Sequence, residues 1–192
     1  MSLDRVKSYN AAHMELGNLK PMPAQEHTEL IAQPVLQALQ ALANNGVQVT
    51  EIDPTLSDTA AFCAHYDFPL SRSANCIVLR ATRAGREWYV ACAILATTRA
   101  DINGAVRKAL DARKVSFAPM DLAVAETGME FGAITPVGLP PSWELLIDKR
   151  VIDAGQVIIG SGLRKSKLVL EGTILATLPN ARVIDGLAQE NL

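Results

Sequence analysis

Apolar residues recur along the chain with two spacings, and each spacing predicts a different secondary structure. Apolar residues three or four positions apart lie on one face of a helix. The segment 34–44 keeps this spacing from Val35 to Leu42, and Asn45-Gly46 provides a stop signal after it. Such spacing predicts four helices: 34–44, Ser57 or Asp58 to Tyr66, Asp101 or Asn103 to Leu110, and Met120 to Glu126.

Short apolar or alternating runs between the helices predict strands. They lie at Val47–Ile52, Cys76–Leu79, Trp88–Leu95, Trp143–Ile147, Val157–Ile159 and Lys167–Leu170. Gly85 between the second and third runs favours an antiparallel hairpin, and the Gly160-Ser161-Gly162 turn joins the last two. Helices interleaved with such hairpins predict an α+β fold around a mixed, curved sheet.

Length and composition are typical of one compact domain with an extension. The chain has 192 residues and 49% hydrophobic residues. Pro21-Met22-Pro23 breaks any helix at that point, so the first thirty residues are expected to form an extension that begins with a short helix. We therefore predict an N-terminal extension at 1–30 and a folded domain at 31–192. A net charge of −2 argues against binding a polyanion over a broad surface but is compatible with a local basic face.

The apolar runs and the cysteines bear on location and redox state. The longest purely apolar run, Trp88–Ala96, has nine residues, far fewer than the ~20 that span a bilayer. Cys63, Cys76 and Cys92 are odd in number and form no CxxC pair. These features predict a reduced, cytoplasmic protein without a membrane partner, a disulfide framework or a metal site.

The segment 128–139 is the most unusual part of the sequence. It contains Gly128, Gly132, Pro136 and Gly138, which together specify an irregular backbone path. Such a loop can direct several backbone N–H groups at one carbonyl or oxyanion without an ionisable side chain. An ordinary wide connection between a helix and a strand is the alternative interpretation.

Familiar catalytic and cofactor motifs are incomplete in this sequence. Gly160-Ser161-Gly162 begins like a dinucleotide fingerprint, but Lys165 occupies the position of the third glycine. His13, His27 and His65 are far apart in sequence, with no candidate nucleophile nearby. Catalysis by an ionisable side chain and a bound cofactor are therefore both unsupported.

Several segments in order, from about Ala61 to Leu187, resemble the YbaK/EbsC family of aminoacyl-tRNA deacylases. The most diagnostic is the GxxxP element Gly132–Pro136. The others are Ala74–Val78, Ile102–Leu110, Val115–Ala118, Ile147-Asp148 and Gly160–Gly162. This family is related to the editing domain of bacterial prolyl-tRNA synthetase.

The resemblance implies a mixed, barrel-like sheet flanked by helices. It also implies a free-standing trans-editing enzyme that hydrolyses the ester of a mischarged small amino acid on the tRNA acceptor end, with no cofactor. Backbone groups of the loop and a ribose hydroxyl would assist the water, and a synthetase is a further possible partner. The implied catalytic residues are Gly132, Asn75 and Pro136, and the implied substrate-binding residues are Ala133, Ile134, Thr135, Gly160, Ser161 and Gly162.

One residue departs from the family pattern. The family usually has a lysine where this chain has Asn75, which is neutral and shorter but can both donate and accept hydrogen bonds. Hydrolysis by the loop backbone, a changed substrate, and a non-catalytic module that binds tRNA or an aminoacyl nucleotide all remain open. An interaction protein that docks through residues 1–30 is a further alternative.

Three basic residues follow the GxG turn. Arg164, Lys165 and Lys167 are predicted to contact tRNA phosphates beside the site. A hairpin whose charges only keep the protein soluble is the alternative.

Overall fold

The computed structural model describes residues 16–42 and 46–191 of the chain. Within them the strands are β1 Met22–Pro23, β2 Gln48–Glu51, β3 Ala74–Arg83, β4 Arg86–Leu95, β5 Thr98–Ala100, β6 Lys114–Phe117, β7 Glu144–Asp148, β8 Gln156–Gly160, β9 Ser166–Glu171, β10 Ala181–Ile184 and β11 Ala188–Glu190. The α-helices are α1 Gln33–Ala41, α2 Thr59–Tyr66, α3 Arg107–Ala109, α4 Met120–Thr127, α5 Lys149–Asp153 and α6 Gly172–Leu175. Short 3₁₀ helices lie at Ala24–Glu26, Thr28–Leu30, Pro54–Leu56 and Leu70–Arg72, and a π-helical turn at Ile102–Val106 leads into α3.

The four predicted helices and six predicted strands are confirmed. Asp58 caps α2, because its Oδ1 accepts hydrogen bonds from the N–H groups of Ala60 at 3.0 Å and Ala61 at 3.4 Å. Gly128, at φ +64°, ends α4. The stop predicted at Asn45 lies outside the described residues, and α1 ends at Ala41.

Two larger sheets and a small one make up the fold. The five-stranded sheet has the order β10-β7-β4-β3-β6, in which β4–β7 and β7–β10 are parallel and the other pairs antiparallel. The four-stranded sheet, β1-β2-β9-β8, is antiparallel throughout. The α+β class with a mixed sheet is confirmed, although the described strands form three sheets and no closed barrel.

Strand alternation distributes the core into layers. In β4, Ala91 and Ala93 join the core between the two large sheets, whereas Cys92 and Ile94 face the helical segment 102–110. In β9, Leu168 and Leu170 join the same central core, whereas Val169 packs with Phe62 of α2. The order of layers is therefore helix, sheet, sheet and helix, and α1 packs against the central core.

The two large sheets meet at the start of β3. A single parallel bridge joins Ser73 to Ile158 of β8 at this point. The first residues of β3 therefore lie beside the end of β8 and the start of β9. The irregular segment 131–136 reaches the same place through backbone hydrogen bonds to the β8–β9 connection.

The N-terminal boundary at residue 30 remains a prediction. Residues 1–15, which include His13 and a predicted short helix, lie outside the described residues. From Leu19 onwards the chain contributes buried residues, among them Ala24 and Leu30, and β1 pairs with β2. Within the described residues, the part of the predicted extension from Leu19 to Leu30 thus packs on the domain.

Candidate functional site

A cavity of about 540 Å³ opens where the two large sheets meet. This is within the range of small-ligand sites. Its walls come from α2 and the residue before it, the first half of β3, the end of β6, the start of α4, the irregular loop, the last residue of β8 and the start of β9. They are Asp58, Thr59, Ala74, Asn75, Cys76, Ile77, Val78, Phe117, Ala118, Met120, Ala123, Phe131, Gly132, Ile134, Gly160 and Lys167.

The irregular loop offers two backbone donors at this cavity. The N–H of Ala133 donates to the Glu130 carbonyl at 3.0 Å, and that of Thr135 donates to Met129 Sδ at 3.4 Å. The N–H groups of Gly132 and Ile134, both at the cavity wall, have no partner among residues 16–42 and 46–191. Gly132 is at φ +77°, a conformation that glycine adopts without strain. The loop can therefore donate to a carbonyl oxygen with main-chain groups alone.

The Gly160-Ser161-Gly162 turn supports the loop from behind. The Gly162 N–H donates to the Ala133 carbonyl at 3.0 Å, and the Glu130 N–H donates to the Gly162 carbonyl at 2.9 Å. A Cβ on Gly160 would lie 2.6 Å from the Ala133 oxygen, so only glycine permits this approach. The Ser161 hydroxyl is buried and bonds within its own connection, to the Leu163 carbonyl and to Ser166. Of these turn residues, Gly160 alone lines the cavity.

The predicted basic cluster is divided between the surface and the cavity. Lys165 is exposed, and its contact with tRNA phosphates remains a prediction. Arg164 is half-buried, and its guanidinium donates to the Phe131 carbonyl at 3.2 Å and the Pro54 carbonyl at 3.1 Å, which ties the loop to the segment before α2. Lys167 does not share their surface: it is 8% exposed and lines the cavity. The placement of Lys167 in a surface cluster was wrong, because odd positions of β9 face α2.

Lys167 is a buried cation with few partners. Its Nζ donates to the Ser57 carbonyl at 3.0 Å and lies 5.4 Å from the centre of the Phe62 ring. No carboxylate in the described part of the chain forms a salt bridge with it. Burial lowers the pKa of Lys167, while Cys63 and Asp58 act in the opposite direction. A buried lysine without an ion-pair partner is costly, and such groups concentrate at functional sites.

Asn75 and Cys76 of β3 both line this cavity. Asn75 Oδ1 accepts a 2.6 Å hydrogen bond from the Thr59 hydroxyl, and its amide NH₂ has no partner among the described residues. Burial raises the pKa of the Cys76 thiol, which therefore stays protonated near neutral pH. A protonated thiol is a poor nucleophile. The polar contribution of β3 to the site is thus an amide donor.

The sequence matches the model of a known domain family across most of this architecture. The family is described as the aminoacyl-tRNA editing domain, and the match covers residues 53–178. This range contains every residue that lines the cavity. The chain belongs to the aminoacyl-tRNA editing domain family. The YbaK-like resemblance is therefore confirmed, and aminoacyl-tRNA is the substrate class of the family.

Solved structures share the fold of this editing domain. The hypothetical protein APE2540 has a TM-score of 0.71 at 22% identity, over 82% of this chain and 100% of that one. A candidate trans-editing enzyme for prolyl tRNA synthetase has a TM-score of 0.70 at 17% identity, over 83% and 97% of the two chains. A search of curated proteins finds no match. None of the helices in the described ranges is long and apolar enough to cross a membrane.

The remaining predicted site residues of the editing domain lie behind the cavity wall. Ala133, Thr135 and Pro136 are buried, and Pro136 lines a separate apolar cavity of about 290 Å³ beside α1. Gly162 packs against Ala32. Of the residues predicted to act on the substrate, the structure brings Gly132, Ile134, Asn75 and Gly160 together at the cavity. Lys167 joins them, and the sequence of β9 carries no polar and apolar alternation that could have placed it there.

Thr135→Val is expected to raise the free energy of unfolding by about 1 kcal/mol, because a buried hydroxyl without a partner is replaced by a methyl group of the same shape. Thr135 is fully buried, and its Oγ1 has no partner among the described residues. Since this side chain does not line the cavity, we expect deacylation to be unchanged. Urea unfolding and a deacylation assay test both statements. If activity falls strongly while stability is unchanged, Thr135 contacts the substrate after all.

Proposed function

We propose that this editing domain hydrolyses the ester between a mischarged small amino acid and the 3′ end of a tRNA. The observation that carries the proposal is that the N–H groups of Gly132 and Ile134, at the wall of a ligand-sized cavity, have no partner in the part of the chain that the structure describes. An ester carbonyl placed there would gain negative charge on oxygen as water attacks it. Donors fixed in advance stabilise that charge in the transition state.

The reaction needs no protein nucleophile. The oxygen of a water molecule bonds to the ester carbon, a proton of that water passes to the ribose oxygen, and the ester C–O bond breaks. The products are a free amino acid and a tRNA with a free 3′ end. A neighbouring ribose hydroxyl would orient the water and relay the proton, as the family resemblance implies. The high pKa of Cys76 argues against a thioester route.

Asn75 and Lys167 together would supply the hydrogen-bond donor and the positive charge that one lysine supplies in the family. The Asn75 amide NH₂ would donate to a ribose oxygen, because it has no partner in the described part of the protein. The Lys167 ammonium would add positive charge beside the developing oxyanion. The site therefore keeps a cation despite the neutral residue on β3.

Several small side chains line the cavity, and we expect the site to favour a small aminoacyl group. Ala74, Cys76, Ala118 and Ala123 line the cavity, which the terminal ribose would share with the amino acid. Binding of an additional methylene is worth about 1–3 kcal/mol in a fitted apolar pocket. Substrates with larger side chains should therefore be hydrolysed more slowly.

Incubation with a panel of tRNAs mischarged with alanine, serine, cysteine or proline tests the proposal. We expect release of at least one of these amino acids, well above the buffer control, at protein concentrations far below that of the tRNA. Correctly charged tRNAs with large side chains serve as the matched controls. Absence of release from every member of the panel would contradict the deacylase function.

A non-catalytic binding module is the second candidate, and Asn75 in place of the family lysine favours it. Such a module would bind the aminoacylated acceptor end without releasing the amino acid. A calorimetric titration with a non-hydrolysable aminoacyl-tRNA, run beside the deacylation panel, separates the two. Binding without turnover favours the module, and binding with turnover favours the enzyme.

A further inference from the structure

Three exposed apolar side chains surround the mouth of the cavity. The described residues leave five large hydrophobic side chains exposed: Leu70, Phe117, Met120, Phe131 and Val183. Three of them, Phe117, Met120 and Phe131, line this one cavity and are named the apolar rim. Contiguous exposed apolar groups mark binding sites more often than scattered ones do.

Two side chains of the apolar rim lie on regular secondary structure, and the third lies on the irregular loop. Phe117 ends β6 and pairs in register with Leu79 of β3, and Met120 is the first residue of α4. Phe131 precedes Gly132, and its carbonyl accepts the hydrogen bond from Arg164. Phe117 is 66% exposed and Phe131 57% exposed, and neither ring packs against another aromatic ring in the described part of the chain. Backbone hydrogen bonds therefore fix the positions from which both rings project, and the ring faces are free to receive a ligand.

We propose that Phe117 and Phe131 form the stacking site for the 3′-terminal adenine of the tRNA, an inference that rests on the proposed deacylase function. The ester and the adenine are attached to the same ribose. If the ester carbonyl meets the Gly132 N–H, the base lies one sugar away from that point. Phe131 is the chain neighbour of Gly132, about 3.8 Å away between Cα atoms. When the ester lies inside the cavity, the adenine attached to the same ribose is therefore expected to lie against the apolar rim.

Adenine suits this surface better than a protein partner does. A stable protein interface buries roughly 800 Å² on each partner, far more than three partly exposed side chains provide. A single base needs one or two rings, and stacking on an aromatic side chain is worth about 1–3 kcal/mol per base. Arg164 and Lys165, adjacent in sequence and near the loop, would attract the phosphates that follow the base.

Calorimetric titration of the full chain with two stable mimics tests the stacking site. One mimic is 3′-alanylamino-3′-deoxyadenosine, in which an amide replaces the ester. The other carries the same alanylamino sugar without the base. We expect Phe117→Ala and Phe131→Ala each to weaken binding of the adenosine mimic about fivefold or more. Binding of the base-free mimic should be unchanged, and Phe117→Trp should bind the adenosine mimic at least as well as the natural chain.

Leu70→Ala is the matched control, because it removes an exposed apolar side chain that does not line the cavity. Equal weakening of both mimics, or no weakening in either phenylalanine variant, would overturn the stacking site. A change confined to the oligomeric state of the rim variants would also overturn it in favour of a second copy. If the adenosine mimic binds as expected but no mischarged tRNA is hydrolysed, the deacylase proposal fails and adenine recognition stands.

Discussion

Replacing Lys167 with Met is expected to lower kcat/KM for aminoacyl-tRNA deacylation about 100-fold, which is the usual effect of removing one donor to a developing oxyanion. Met matches the length of the lysine stem and can keep the packing on Phe62. Only the ammonium and its hydrogen bond to the Ser57 carbonyl are lost. Because no carboxylate forms a salt bridge with this group in the described residues, the folded protein should remain at least as stable.

Lys149→Met is the matched control for the loss of one lysine charge. Lys149 is exposed on α5 and pairs with Asp153, a surface contact that contributes little to stability because solvent screens it. Its replacement should leave deacylation unchanged. If Lys167→Met is as active as Lys149→Met, the ammonium has no part in the reaction, and the loop backbone alone would carry the proposed catalysis.

The pH dependence of stability gives an independent check on Lys167. Burial lowers its pKa below the ordinary value of 10.5. Between the lowered pKa and 10.5 the unfolded chain binds more protons than the folded protein, so the stability contributed by this residue rises with pH. The free energy of unfolding of the natural chain, minus that of Lys167→Met, should therefore increase as the pH approaches 10.5. If this difference in the free energy of unfolding does not change with pH, the Lys167 ammonium is solvated in the folded protein.

Local signals in the sequence were sufficient for much of the fold. Asp58 and Gly128 mark the ends of helices because a cap involves only the nearest residues. The β3–β4 hairpin was predictable for the same reason, since Gly85 and two adjacent apolar runs specify it. The strand β6 and the parallel partners of β7 were not predicted, because their pairing joins segments distant in sequence.

The candidate site was predicted less completely, because it depends on non-local packing. Gly132 and Gly160 could be identified by the backbone freedom they provide, and both line the cavity. The position of Lys167 depends on which face of β9 packs against α2, and Phe62 is more than 100 positions away in sequence. Arg164 remains a predicted phosphate contact, but the sequence did not indicate that its guanidinium also binds two backbone carbonyls from separate segments. No short-range pattern could distinguish these outcomes.

Gly160→Ala is expected to lower deacylation about 100-fold, because a displacement of reacting groups by about 1 Å can cost that much. The added Cβ would lie 2.6 Å from the Ala133 carbonyl oxygen and 3.4 Å from that of Ile134. Both contacts are with backbone, which cannot turn aside as the end of a long side chain can. The loop must move away from the turn, and the N–H groups of Gly132 and Ile134 move with it. We also expect a loss of about 1–3 kcal/mol in the free energy of unfolding from overpacking.

Gly155→Ala separates this local effect from general destabilisation. Gly155 is at φ +71° with nothing within 4 Å of its Cβ position, so alanine there meets backbone strain but no neighbour. That strain costs about 1–2 kcal/mol, close to the cost expected at Gly160. The two variants should therefore unfold at similar urea concentrations, while only Gly160→Ala loses activity when both are assayed well below their unfolding transitions. Equal activity in the two would mean that the position of the loop against the turn does not govern catalysis, and the role assigned to the Gly132 and Ile134 N–H groups would then fail.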